Sequence, residues 1–124
     1  MLEFMGDMRR THYCGVLRKE NENEEVVVCG FVQRQRNLGQ LIFIDLRDRT
    51  GIVQLSFDDS TDREIFEKAN ATRSEYVVMA KGIVKIRSSI NKEIPTGEIE
   101  VAVNEYKILS TAETPPFEIV ENSN

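Results

Sequence analysis

The sequence predicts a small all-β barrel carrying one helix, on three observations. Its 124 residues suffice for one domain with one core. Five segments read as strands from β-branched content or from apolar and polar side chains alternating with a period of two. A single segment between the third and fourth of these has helical spacing instead.

Taken in order, residues 11–24 are a polar lead-in with a turn around Asn21-Glu22-Asn23. Residues 25–36 form a long first strand, because Val26, Val27, Val28, Phe31 and Val32 are β-branched or aromatic. Gly30 inside it predicts a bulge or a sharp bend. Asn37-Leu-Gly39 is a turn, and residues 40–48 are the second strand. Arg49-Thr-Gly51 turns tightly into a third strand over 52–57, making a hairpin. Ser60 or Thr61 caps a helix running to about Thr72, with Ile65, Phe66 and Ala69 on its buried stripe. The fourth strand covers 75–87, the loop 88–96 contains Asn91 and Pro95, and the fifth strand covers 97–109. Three strands, a helix and two strands, with a glycine in the first strand, is the order of the five-stranded Greek-key barrel called the OB-fold.

Composition excludes several classes. Hydrophobic residues make up 40% and charged residues 30%, as in a soluble globular domain. No apolar run approaches the roughly 20 residues of a membrane span. The first ten residues contain Glu3 and Asp7 and lack the apolar stretch of a signal peptide. The two cysteines, Cys14 and Cys29, read as reduced small hydrophobes in a cytosolic protein. With one histidine and no CxxC pair, a zinc site built by this chain alone is not expected. The net charge of −5 argues against gripping nucleic acid by bulk charge. Cations nevertheless cluster in two stretches, Arg34 to Arg49 and Lys81 to Lys92.

Phe43 is the odd residue of the second strand. Alternation sends Ile42, Ile44 and Leu46 to the core and Phe43, Asp45 and Arg47 to the other face. A ring beside arginine on a sheet face is a stacking platform for single-stranded nucleic acid. Taken alone, it also fits under a loop or in a second small cluster. The same rule puts Val53, Leu55, Phe57, Val84, Ile86, Ile99, Val101 and Val103 inside. It leaves Phe43, Asp45, Arg47, Gln54, Lys85, Arg87, Glu98 and Glu100 outside. Gln54 can donate and accept toward a base edge, whereas a glutamate accepts only. Arginine can stack, fork to phosphate or reach base acceptors. The first strand resists this parity. If Val28 and Val32 point inward, strict alternation carries Arg34 and Arg36 inward too, unless the strand bulges near Gly30 or leaves the barrel after Val32.

Several ordered pieces together resemble the N-terminal anticodon-binding domain of bacterial aspartyl-tRNA synthetases. They are Arg10-Thr-His-Tyr-Cys-Gly15, Val28-Cys-Gly-Phe-Val32, the stretch from Leu38 to Arg49, Gly51-Ile-Val-Gln54, Thr96-Gly-Glu-Ile-Glu-Val101 and Thr114-Pro-Pro-Phe117. Methionines at 1, 5 and 8 suggest added leader residues, and residues 1–9 are expected to be loose; the resemblance implies an anticodon-binding OB domain over 10–110, and over 111–124 the start of a hinge to a catalytic domain absent here. It implies recognition of the aspartate tRNA anticodon, GUC or its queuosine-modified form. By position, Phe43 would stack on the central uridine, and Arg36 and Gln54 would read bases, Arg36 toward the third. Glu100 would accept from the first base, and Asn91 would make a further contact. Arg34, Arg47, Lys85 and Arg87 are candidates for backbone or supporting work. Two departures stand out. Gln35 and Asn37 interrupt what is commonly three basic residues followed by aspartate, and Phe31 stands where tryptophan is common.

No glycine-rich phosphate loop and no nucleophile–base pair appears, so the chain itself is expected to catalyse nothing. By the resemblance, ATP and magnesium belong to the absent domain, and the parent enzyme is a cytoplasmic homodimer. The competing readings are a free-standing single-strand-binding protein on the same barrel and a protein-interaction barrel.

Overall fold

The computed structural model describes residues 9–111. The chain begins with two short 3-10 turns, η1 (Cys14–Val16) and η2 (Lys19–Asn21). The strands β1 (Glu25–Asn37), β2 (Ile42–Asp48) and β3 (Gly51–Phe57) follow, then the helix α1 (Arg63–Ala71), then β4 (Val77–Ile86) and β5 (Ile99–Ser110). The strands close into a barrel in the order β1-β2-β3-β5-β4, the OB-fold that the element order predicts. Neighbours are antiparallel except β3 and β5, which meet in a short parallel pairing of Leu55 with Val101 and Ser56 with Ala102.

The barrel interior is what alternation selected. Ile42, Ile44, Leu46, Val53, Leu55, Phe57, Val84, Ile99 and Val101 are fully buried there. Each large side chain removed from water contributes about 1.5–3 kcal/mol. Ile86 is the exception. It keeps the inward parity but is the last residue of β4, and it stays 40% exposed. The polar lead-in also contributes to the core, through Cys14 and Leu17, both fully buried. Cys29 is buried in a separate cluster with Val27, Val77, Met79 and Leu109, against which Phe31 packs.

β1 serves two neighbours, pairing with β4 from Glu25 to Phe31 and with β2 from Phe31 to Asn37. Gly30 lies at the hand-over. A Cβ there would sit 2.3 Å from the Arg47 carbonyl oxygen, so a side chain would force the strands apart. The bulge itself is not at Gly30. The register slips between Val32, which faces Leu46, and Arg34, which faces Asp45, leaving Gln33 as the extra residue. One extra residue inverts the parity of everything after it. Arg34 and Arg36 therefore turn outward without the strand leaving the barrel. Gln35 takes the inward position, where its Nε2 donates to the carbonyls of Ala69 (2.9 Å) and Asn70 (3.2 Å) at the end of α1.

The helix starts one residue later than Thr61. Asp62 is the cap, accepting from the Glu64 amide at 2.9 Å. Thr61 instead accepts from the Asp58 amide, and Asp58 in turn holds Ser60. The local turn thus consumes both hydroxyls that could have capped. Ala69 is buried, with Ile65 and Phe66 packed on the core. Thr72 ends the helix and donates to the Lys68 carbonyl at 2.8 Å. Its oxygen also meets the Tyr106 hydroxyl at 2.8 Å, and the Tyr106 ring packs edge-on against Phe57 at 5.1 Å. None of the described helices is long and apolar enough to cross a membrane.

Candidate nucleic-acid interface

Strand register aligns the outward side chains into rows across the barrel. Arg34 faces Asp45, Asp45 faces Gln54, and Glu100 faces Lys85. Since Leu55 pairs with Val101, Gln54 lies beside Glu100. The next row runs from Arg36 through Phe43 to Ser56. Five strands thereby contribute neighbouring polar side chains from sites as far apart in sequence as Arg34 and Glu100.

These rows floor a groove of about 380 Å³. Arg34, Arg36, Phe43, Asp45, Gln54 and Glu100 form its sheet side. Its other wall is Arg87 with Ser88, Ser89, Ile90, Asn91 and Ile94 of the following loop. Phe43, Arg36, Asp45 and Glu100 are half-buried, while Arg34 is exposed. Gln54 is only 4% exposed although it points away from the core, so it belongs to the groove floor rather than to an open face.

A polar chain runs along that floor. Arg36 Nη2 donates to Gln54 Oε1 at 2.9 Å, and Gln54 Nε2 donates to Glu100 Oε1 at 2.8 Å. The cation needs an acceptor and the carboxylate needs a donor, so the amide has only one satisfactory orientation. One N–H and one lone pair of Gln54 remain for a ligand. The Arg36 guanidinium also lies over the Phe43 ring, 5.1 Å from its centroid. Desolvation pushes the Arg87 pKa down, against the opposing pull of Asp45 and Glu100 and with the repulsion of Arg36. Its Nε is anchored on the Ile99 carbonyl at 3.1 Å. An arginine keeps its charge under such a shift, so the groove offers three cations interleaved with two carboxylates.

Gly97 holds the loop wall in place. A Cβ at this position would fall 1.6 Å from the Asn91 carbonyl oxygen. The Asn91 amide donates to the Gly97 carbonyl and the Gly97 amide donates to that of Ile94, each at 3.0 Å. Asn91 Oδ1 accepts from the Glu93 amide at 2.9 Å. Gly97 and Glu98 thus belong to the loop rather than to β5.

Of the nine sequence-derived candidates, seven line the groove: Arg34, Arg36, Phe43, Gln54, Arg87, Asn91 and Glu100. Arg47 and Lys85 do not. Arg47 donates to Gln33 at 2.8 Å, and Lys85 is exposed at the far end of its row. Glu98, of the predicted outer set, is likewise exposed and outside the groove. Sequence reasoning missed Ser88, Ser89, Ile90 and Ile94, which carry no periodic signal because they lie in a loop. The interruption at Gln35 leaves the groove untouched, since that side chain faces the helix. Asn37 is spent on the turn, accepting from the Gly39 amide at 2.8 Å and pairing with the Asn70 side chain. The Pro115-Pro116 exit lies outside the described residues.

A larger hollow of about 430 Å³ lies between the β2 entry and α1. Asp58, Asp59 and Glu67 line it with Arg63, a balance that repels a polyanion. Size therefore does not single out the candidate interface; the chemistry of the smaller groove does. Among the described residues no group of three or more His, Cys, Asp or Glu side chains converges to hold a metal ion.

The chain is 53% identical over its full length to an aspartate–tRNA ligase of Ruminiclostridium cellulolyticum, of which it covers 21%. It is 48% identical, again over its full length, to an aspartate–tRNA(Asp/Asn) ligase of Caldanaerobacter subterraneus, covering 21% of that protein. The chain thus spans about one fifth of the length of these relatives. Among solved structures, asparaginyl-tRNA synthetase from Pyrococcus horikoshii superposes with a TM-score of 0.71 at 31% identity, over 94% of this chain and 26% of that one. Residues 26–109, most of the barrel, match the tRNA anti-codon family, described as an OB-fold nucleic acid binding domain, and the chain belongs to that family.

Proposed function

We propose that this chain is the anticodon-reading module of an aspartate–tRNA ligase. The observation that carries the reading is the Arg36–Gln54–Glu100 chain lying beside Phe43 on one groove floor. An aromatic platform with directional donors and acceptors suits splayed, unpaired bases. In this reading Phe43 stacks on the central uridine of the anticodon. Glu100, an acceptor only, selects a first base that presents donors, as guanine does. Gln54 offers its remaining N–H and lone pair to a base edge, and Arg36 turns to acceptors of the third base. Asn91 contacts the loop from the opposite wall, with Arg34 and Arg87 near the backbone. The two carboxylates weaken indiscriminate phosphate binding and so favour sequence over charge.

The ligase chemistry, which activates aspartate with ATP and magnesium and transfers it to the tRNA, would reside in a catalytic domain outside this chain. A cytoplasmic homodimeric parent enzyme goes with that reading.

The test is a titration, at one salt concentration, of the aspartate anticodon stem-loop, a stem-loop with a scrambled loop, and polypyrimidine DNA. Preference for the first is expected. Equal affinity for all three would instead indicate a general single-strand binder. Phe43→Ala should weaken the cognate complex by roughly 1–3 kcal/mol, the worth of one stacked base. The half-buried ring is not part of the core, so the melting temperature should stay close to that of the wild type. Unchanged binding by the variant would return Phe43 to a structural role.

A further inference from the structure

A second cluster of cations lies beyond the groove, where β2 turns into β3. Along β2 the outward side chains continue from Phe43 and Asp45 to Arg47, and Arg49 follows in the turn. Arg47 stands four residues from Phe43, roughly 13 Å at strand rise. Arg49 donates through Nη2 to the Tyr13 hydroxyl at 3.0 Å, and its guanidinium lies 4.9 Å from the ring centroid. Arg10 approaches the same ring at 4.2 Å. The two guanidinium carbons are therefore no more than about 9 Å apart, within roughly one Debye length at physiological salt.

The cluster is held in place. The Cys14 amide donates to Asp48 Oδ2 and the Gly15 amide to Thr50 Oγ1, both at 2.7 Å. Asp48 Oδ1 in turn accepts from the Thr50 amide and hydroxyl. These bonds join η1 to the β2–β3 turn and so fix Tyr13 against Arg49. Some cations elsewhere on the surface are matched with acids, as in Lys81–Glu105 at 3.3 Å and Arg63–Glu67 at 3.6 Å. Arg47 and Arg49 meet no carboxylate among the described residues; their polar partners are Gln33 and Tyr13. A chain of net charge −5 leaves these two arginines unneutralised beside a third.

We propose that Arg47, Arg49 and the Tyr13–Arg10 stack form a second RNA contact, which takes the phosphodiester backbone of the base-paired stem leading out of the anticodon loop. This rests on the anticodon reading, because bases seated at Phe43 place the adjoining stem within reach of the β2 track. The chemistry is that of backbone positioning. Exposed guanidinium forks suit phosphate oxygens, and contacts of that kind fix register without reading sequence.

The experiment compares two RNAs across a salt series: a hairpin bearing the aspartate anticodon loop on its stem, and the loop sequence alone as an unpaired oligonucleotide. Arg49→Gln should lower the slope of log affinity against log salt by about one for the hairpin. Its deficit relative to wild type should shrink about eightfold between 50 and 500 mM salt, the change expected for one lost phosphate contact. Binding of the unpaired loop should be unchanged. Arg47→Gln should behave alike, Arg49→Lys should largely restore the slope, and Arg63→Gln on α1 should alter neither RNA. Thermal melting checks that each variant is folded. Wild-type slopes for both Gln variants on the hairpin would overturn the second contact. So would equal losses on both RNAs. Failure of the anticodon reading would appear separately, as a wild-type protein that does not distinguish the cognate unpaired loop from its scrambled sequence.

Discussion

Gln54→Met tests the polar chain on the groove floor directly. Methionine keeps the length and approximate volume of glutamine but removes both hydrogen bonds. Each lost bond involves a charged partner, and such bonds contribute about 1.5–3 kcal/mol. Arg36 and Glu100 are half-buried and recover some hydration in the variant, so the lower end of that range applies to each. Against this, a thioether is better suited than an amide to a position with 4% exposure, a gain of about 1 kcal/mol. The net expectation is a loss of about 2 kcal/mol. For a domain of this size that corresponds to a fall in melting temperature of roughly 8 °C. Thermal and urea denaturation followed by circular dichroism measure it. A cycle with Glu100→Gln should give a coupling energy of about 1 kcal/mol, since the two residues share one bond. Anticodon affinity should also fall at temperatures where the variant is fully folded, because Arg36 loses the acceptor that orients it. A variant that melts at or above the wild-type temperature would refute the reasoning and make the chain a specificity device without stabilising worth.

Tyr106→Phe should cost about 1 kcal/mol at neutral pH, the worth of one buried hydrogen bond, because Thr72 gives its proton to Lys68 and the phenol must donate to Thr72. Burial pushes the Tyr106 pKa well above its ordinary value near 10. The folded state therefore keeps the proton while the unfolded state loses it. That contribution is complete below about pH 10 and is lost as pH rises, by about 1.4 kcal/mol per pH unit relative to Tyr106→Phe. Urea unfolding of both proteins at pH 8, 10.5 and 11.5 checks this, and parallel pH dependence would contradict it. Gly97→Ala should displace the 88–96 loop, because its Cβ would overlap the Asn91 carbonyl oxygen. Cognate binding should weaken severalfold with a stability loss of about 1–3 kcal/mol, read by titration and melting together.

Strand alternation is a local property, and it was legible wherever the strands are regular. It placed Ile42, Ile44 and Leu46 inside and Phe43 outside from the residues alone. The same rule failed at Arg34 and Arg36, where the sequence marked Gly30 and the register slipped at Gln33. Where a bulge falls depends on how the strand matches its partner, and the partner residues here, Asp45 and Leu46, lie more than ten residues away. The helix cap was misplaced for a related reason. Asp58 engages Ser60 and Thr61 in a turn of their own, so the cap passed to Asp62.

Composition and periodicity by themselves determined the barrel and its single helix, and the ordered motifs pointed to its family, because each is written in residues close together along the backbone. Only the tertiary structure decided that Arg36, Gln54 and Glu100 form one hydrogen-bonded chain and that a glycine-anchored loop walls their groove. It alone brought Tyr13 to Arg49, 36 residues away. Barrel closure sets which strands become neighbours and in what register, and register decides which side chains meet.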